Sequence, residues 1–320
     1  MSMSNLSPSQ TPTCNNVETP QDELPKARFW EAVDICQWEG FWFGQRLVKP
    51  AVSFKSTFQA RDDDVLLASP LKTGTTWLKA LSLCIMHQNQ ENDILAMENP
   101  HFHVPTVEGA ICSNQTQKAD LFDASAPRLL HTHLPHAVLP DSIKNSACKI
   151  VYIARNPKDT LVSMWHFFNS FLRPSQEPFP LEKAVDCFCS GVHPYGPFFE
   201  HVVEYWQESQ KRPEKILFLK YEELKSDPNG QVSRIAEFLE RPFGSETEVE
   251  EVVQRCCLER LKNLEVNKSG SVLFDVPNTS FFRKGEVGDW KNYLTPEMEE
   301  KINQTSRIKF QPSGLASFFR

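Results

Sequence analysis

No run of 18 consecutive apolar residues occurs anywhere in the chain, and no apolar block follows a basic start. Membrane insertion and secretion are therefore both disfavoured, and a cytoplasmic location is expected. There is no CxxC pair: nine cysteines, an odd number, are scattered from Cys14 to the adjacent Cys256 and Cys257. That pattern fits a reduced compartment better than a disulfide framework. Positive charge is not in excess either, because 34 Lys and Arg face 41 Asp and Glu for a net charge of −7. No global field draws the protein to nucleic acid or an anionic membrane, so cations at a ligand site must be local. Internal repeats and interdomain linkers are missing as well; Pro and Gly punctuate loops instead of clustering.

What remains is ordinary globular composition, 320 residues with 40% hydrophobic. A chain of that size buries about three-quarters of its unfolded surface, enough for one large domain. Residues 1–25 are rich in Ser, Thr, Asn and Pro and almost free of large apolar groups, so they read as a flexible tail, with the folded domain spanning 26–320. The aromatic stretch Phe29, Trp30, Trp38, Phe41, Trp42 and Phe43 reads as core packing, with an apolar pocket wall as its other reading.

Four apolar, β-branched segments read as buried strands: Val65 to Ala68, Arg128 to Thr132, Cys148 to Ala154 and Ile216 to Leu219. Helical stripes follow or precede them: Trp77, Leu78, Leu81, Cys84 and Ile85; Leu161, Trp165 and Phe168; Phe198, Phe199, Val202, Val203 and Trp206; Val232, Ile235, Phe238 and Leu239. The alternation predicts a single α/β domain with a mostly parallel sheet covered by helices on both faces.

In such sheets ligands collect beyond the carboxyl ends of the strands. The first strand leads to Lys72, Thr73, Gly74, Thr75 and Thr76, the second to His131, Thr132 and His133, the third to Arg155 with Ser163 beyond it, and the fourth to Lys220 and Tyr221. A lysine, a glycine that permits close backbone approach and two hydroxyls at a helix start are the parts of an anion-binding turn. Taken alone, KTGTT also fits a lysine near a turn with threonines that merely cap a helix. It is not the GxxxxGK[ST] loop of nucleoside triphosphatases, and no strand-end aspartate stands in a metal-binding context. Direct neutralisation of the anion by Lys, Arg and backbone N–H groups is expected in place of magnesium. His131, His133 and His136 invite a zinc hypothesis, but Pro135 interrupts the strand spacing and no thiol or carboxylate lies at ligand spacing, so no metal is expected.

Four ordered segments, PLKTGTTWLKAL, HTHLP, YIARNPKDTLVSMWHFF and FFRKGEVGDWKNYL, resemble those of the soluble plant cytosolic sulfotransferases, and the likeness runs from about Leu24 to near the C-terminus. The resemblance implies 3′-phosphoadenosine 5′-phosphosulfate as the donor and a small hydroxylated acceptor. It assigns Lys72, Thr73, Gly74, Thr75 and Thr76 to the 5′-phosphosulfate, Arg155 and Ser163 to the 3′-phosphate, Arg283, Lys284 and Gly285 to a second clamp on that phosphate, and Trp77 and Tyr221 to the adenine. His133 matches the base, an imidazole expected to titrate near neutrality. Lys72 matches the cation at the leaving oxygen, and Ser163 the residue that restrains Lys72 until acceptor binds. Read without the family, Trp77 is a core residue, Tyr221 a strand-end tyrosine, and Arg283 with Lys284 a solvated basic pair.

Three departures from the family pattern stand out. Many members have lysine where this chain has His131, so a supporting charge there becomes pH-dependent. Leu258, after Cys256 and Cys257, replaces an aromatic residue common beside the adenine, which predicts weaker donor affinity. Pro296 occupies a valine position of the KxxxTVxxxE dimer motif, which favours a monomer over a homodimer. Two other functions remain open: a kinase-like phosphotransferase, marked by magnesium-dependent ATP consumption, and a catalytically silent nucleotide-binding relative, marked by donor binding without turnover. The acceptor class, flavonoid or other phenolic or steroid-like alcohol, rests on aromatic and apolar residues near the N-terminus, around Phe102 to Val107, and at Trp165 to Phe168.

Overall fold

The computed structural model describes residues 23–88, 92–113, 127–272 and 275–315. All but the last three residues of the tail expected over 1–25 lie outside the described residues. The fold opens with an antiparallel meander, β1 (Lys26–Phe29), β2 (Val33–Trp38) and β3 (Phe41–Gly44). Its aromatics are core, as Phe29, Trp30, Phe41 and Phe43 are all buried. Trp30 stacks between Phe29 at 4.8 Å and Phe179 at 4.9 Å. Offset rings of this kind add to the area they bury, which fastens the meander to the body of the domain.

The central sheet consists of β4 (Val65–Ala68), β5 (Leu129–Thr132), β6 (Lys149–Ala154) and β7 (Ile216–Lys220), in the order β5-β4-β6-β7 with every pairing parallel. The β-branched runs form strands because alternate residues meet two separate apolar layers. Leu66, Ala68, Ile150, Tyr152, Ile216 and Phe218 face one layer, and Val65, Leu67, Val151, Ile153, Leu217 and Leu219 face the other. Each side chain fully withdrawn from water contributes roughly 1.5–3 kcal/mol, so both layers hold the strand ends without help from ligand loops.

The main helices are α1 (Gln45–Thr57), α2 (Thr75–Met86), α3 (Val107–Ser113), α4 (Pro157–Leu172), α5 (Phe198–Lys211), α6 (Pro228–Phe238), α7 (Glu246–Arg255) and α8 (Pro296–Phe310). Helix α2 covers one face through Leu78, Leu81 and Ile85, while α4 covers the opposite face through Leu161, Met164 and Phe168. The helices that leave the neighbouring strands β4 and β6 therefore diverge to opposite faces. That opens a crevice at the carboxyl ends of those two strands, a topological switch point.

Candidate active site

Beyond β4 the chain turns through Lys72, with φ at 66°, and Gly74, with φ at 115°, before α2 begins. A non-glycine residue at positive φ is strained by about 1–3 kcal/mol, which the surrounding structure must offset. Gly74 is required for a second reason: a Cβ there would lie 2.9 Å from Tyr221 Cδ2 and 3.1 Å from Ile153 Cδ1. No side chain caps the first turn of α2, so its leading amides and the positive end of the helix face the crevice. The Lys72 ammonium sits 4.0 Å from the Phe167 ring centroid and 5.6 Å from that of Phe281. Burial, reinforced by Arg155 and Arg283, pulls its pKa down to about 7.

His133 follows β5, and its ring is fixed from behind. Nδ1 lies 2.8 Å from the Ser69 carbonyl oxygen, which can only accept, so Nδ1 carries the proton and Nε2 keeps its lone pair. The buried Glu108 of α3 accepts from the His133 backbone N–H at 2.8 Å and from the Thr132 hydroxyl at 2.9 Å, locking the turn. Burial drives the His133 pKa down to about 3, in place of the near-neutral titration that its residue type suggests. The imidazole is thus neutral, with Nδ1 protonated and Nε2 an acceptor. His131 does not supply a pH-dependent charge: it is wholly buried, and burial first, then Lys79, hold its pKa well below the ordinary value. His136 stands apart, packed edge-on against Tyr205. Among the described residues no three His, Cys, Asp or Glu side chains are grouped to hold a metal ion.

The opposite end of the cavity is a guanidinium clamp. Arg155 leaves β6 just before Asn156 caps α4 by accepting the Lys158 N–H at 3.0 Å. Its Nη2 donates to the Glu286 carbonyl at 2.6 Å, and its guanidinium lies 4.4 Å from the Tyr221 ring centroid. Arg283 reaches Asp289 at 2.5 Å and Lys284 reaches the same carboxylate at 2.8 Å. Burial works against the charge on Asp289, but hydrogen bonds from Lys284, Arg283 and Asn292 hold its carboxyl below the usual range. Among the described residues, the buried Nε atoms of Arg155 and Arg283 find no hydrogen-bond partner. Two orphaned cationic donors are costly unless an anion completes them. Tyr221 donates to the Gly285 carbonyl at 2.9 Å and meets Trp77 edge-on at 5.7 Å. Gly285, with φ at 64°, approaches so closely that a Cβ would stand 2.7 Å from Leu258 Cδ2.

Of the catalytic and donor-binding residues that the resemblance implies, all but Thr73 and Lys284 line this one cavity, whereas His131, Thr132, His136 and Lys220 do not. Thr73 turns inward, its hydroxyl 3.0 Å from the carbonyls of Pro70 and Ile153, so only its backbone can serve a ligand. Ser163 lines the wall, but no hydrogen bond joins it to Lys72 among the described residues, and the ammonium rests on aromatic rings instead. His101 and Phe281 also line the cavity. Phe281 opens the FFRKGEVGDWKNYL segment but has no role of its own in the resemblance, and a histidine on a short helix carries no signal in the sequence.

Residues 62–314 match the family model described as the sulfotransferase domain. Cytosolic sulfotransferase 12 of Arabidopsis thaliana is 41% identical over 298 residues, covering 91% of each chain. Cytosolic sulfotransferase 5 of the same plant is 42% identical over 302 residues, covering 91% of this chain and 93% of its own. Among solved structures, mouse sulfotransferase SULT7A1 complexed with PAP superposes with a TM-score of 0.71 at 28% identity, covering 89% of this chain and 97% of the mouse one. With the family model spanning most of its length and two plant relatives above 40% identity, the chain belongs to the sulfotransferase family and is a sulfotransferase.

Proposed function

We propose that the protein moves a sulfuryl group from 3′-phosphoadenosine 5′-phosphosulfate (PAPS) to the hydroxyl of a small, largely apolar acceptor. The observation that carries this reading is the pairing, in one cavity, of an imidazole whose Nε2 is a bare acceptor with an anion cradle ending in two unpartnered guanidinium nitrogens. The mouse relative complexed with PAP supports the choice of donor. The start of α2 with Lys72, Thr75 and Thr76 suits the 5′ end of the donor, and Arg155, Ser163 and Arg283 suit its 3′-phosphate.

In the transfer, the acceptor oxygen forms a bond to sulfur as the bond from sulfur to the 5′-phosphate oxygen breaks. The acceptor proton passes to His133 Nε2, and the charge left on the 5′-phosphate is met by Lys72. An imidazole held near 3 is by itself a weak base, but a donor carrying several negative charges favours the imidazolium and raises that value. The aromatic rings of Phe167 and Phe281, beside Lys72, suit an apolar alcohol such as a phenolic or a steroid-like compound. No described helix is long and apolar enough to cross a membrane, and a cytoplasmic, monomeric enzyme is the simplest reading. Pro296 occupies the first position of α8, where its missing N–H has no helical use, and Thr295 caps the helix. Light scattering at micromolar concentration checks the monomer.

The test is a screen of hydroxylated metabolites with labelled PAPS, run on the wild type and on His133→Ala. The true acceptor should lose turnover by about a hundredfold or more in the variant, while PAP still binds. Turnover that survives the substitution would remove His133 from the reaction.

A further inference from the structure

Beneath the donor loop lies a lysine that the reaction as described does not use. Lys79, one turn into α2, is completely buried. Its three N–H groups have three acceptors: the Val104 carbonyl at 2.8 Å, His101 Nδ1 at 3.1 Å and the Thr106 hydroxyl at 3.2 Å. From those partners two chains of hydrogen bonds return to the cavity. One runs from His101 Nε2 to the Thr76 hydroxyl at 2.9 Å. The other runs from the Thr106 hydroxyl to His131 Nδ1 at 3.1 Å, from His131 Nε2 to the Ser69 hydroxyl at 3.0 Å, and from Ser69 to the Thr75 hydroxyl at 2.7 Å.

An ammonium only donates, which fixes the direction of the His101 branch and is compatible with one outward direction along the other. His101 Nδ1 must accept, so its Nε2 carries the proton and donates to Thr76. Once Thr106 accepts from Lys79, its own hydrogen is available to His131 Nδ1; in that orientation His131 Nε2–H donates to Ser69, which in turn donates to Thr75. Both threonine hydroxyls, already occupied as acceptors, are left with their hydrogens free for the cavity that they line.

We propose that Lys79 is a positioning residue that polarises both branches, so that Thr75 and Thr76 present two donor hydroxyls to the 5′-phosphate end of the bound nucleotide. The inference rests on the donor-binding reading given above. It explains why a buried cation, the buried His131 and the half-buried His101 stand behind the loop, although none of the three is an obvious core residue. Burial, opposed by Glu108, brings the Lys79 pKa down to about 7, and an anion held by the two hydroxyls favours the charged form that the geometry requires.

The test is calorimetric titration with PAP of the wild type, Lys79→Met, the Thr75→Val/Thr76→Val pair, and the triple variant, each checked for folding by circular dichroism. Lys79→Met should weaken PAP about tenfold or more, as expected when hydrogen bonds to a charged group lose their alignment. In the double-valine background the same substitution should change Kd by less than about threefold, because the lysine then has no hydroxyl to orient. If Lys79→Met fails to fold, Thr106→Val cuts one branch alone, and its loss of affinity should vanish in a Thr75→Val background. An unchanged Kd in folded Lys79→Met, or an equal loss with and without the threonine hydroxyls, overturns the proposal while leaving the donor site intact. A wild type that fails to bind PAP overturns both readings together.

Discussion

The two ends of the cavity meet negative charge in different ways. At the Arg155 and Arg283 end the cations are permanent, and the structure has already oriented them: a carboxylate holds Arg283, a carbonyl holds Arg155, and one Nε of each is left over. At the loop end the groups are a lysine brought down to about 7, a neutral imidazole and hydroxyls whose direction is set from behind. On the proposed reading, the clamp is charged before the ligand arrives, whereas the loop acquires charge with it. A guanidinium supplies binding at any working pH, while a group that can change its protonation is better placed where bonds form and break.

The substitution that should damage this contrast most is Arg155→Lys. The charge survives, but the planar fork that reaches the Glu286 carbonyl and lies over Tyr221 is lost. We expect PAP to bind about 10- to 100-fold more weakly, the range for charge-assisted hydrogen bonds, with kcat at saturating donor little changed. Steady-state kinetics separate the two. A fall in kcat with unchanged donor affinity would mean that the clamp acts on chemistry, and the division between the two ends would fail.

A smaller effect tests the loop end directly. At pH 8, above its value of about 7, Lys72 is mostly neutral, and an anion placed beside it raises its pKa. Donor binding at pH 8 should therefore take up protons, and affinity should decline as pH rises from 7 towards 9. At pH 6 the lysine is already charged and the uptake should fade. Calorimetry of PAP binding in two buffers of different ionisation enthalpy measures the uptake. Lys72→Met should reduce it, leaving the share that belongs to Lys79, which titrates in the same range. Heats that do not depend on the buffer at pH 8 would show that the loop end is charged in advance, as the clamp is.

The sequence shows the clamp and the loop unequally well. Four β-branched runs announce the strands, and their observed limits differ from the expected ones by a residue at Arg128, Cys148 and Lys220. The residues that follow each strand are legible because parallel topology makes strand ends converge. Lys79 is not legible. It sits beside Leu78 in an amphipathic stripe and reads as a solvated position, and only the segment from His101 to Thr106, which folds over it, buries its ammonium. Periodicity reports one helix at a time and cannot show what a distant loop will cover. The inward turn of the Thr73 hydroxyl is hidden for the same reason, since its Ile153 partner lies on another strand. The N-terminal meander does not read as strands, because charged residues such as Arg28, Glu31 and Asp34 break up its aromatics and its strands run only four to six residues.

The smallest expected effect concerns the wall between the two ends. Leu258 lines the cavity, and its Cδ2 lies where it would crowd any side chain at Gly285, on the side of Gly285 from which Tyr221 is also approached. If that wall carries the adenine of the donor, a branched aliphatic chain gives contact without a ring face. Leu258→Phe should then tighten PAP by about two- to tenfold, the worth of one offset aromatic contact. Leu258 already lines the cavity, so a ring at that position is placed to meet the base. The rate at saturating donor should not move, since the substitution touches neither Lys72 nor His133. An unchanged Kd would take the adenine off this wall, and the clamp would then recognise the 3′-phosphate with no help from a stacked base.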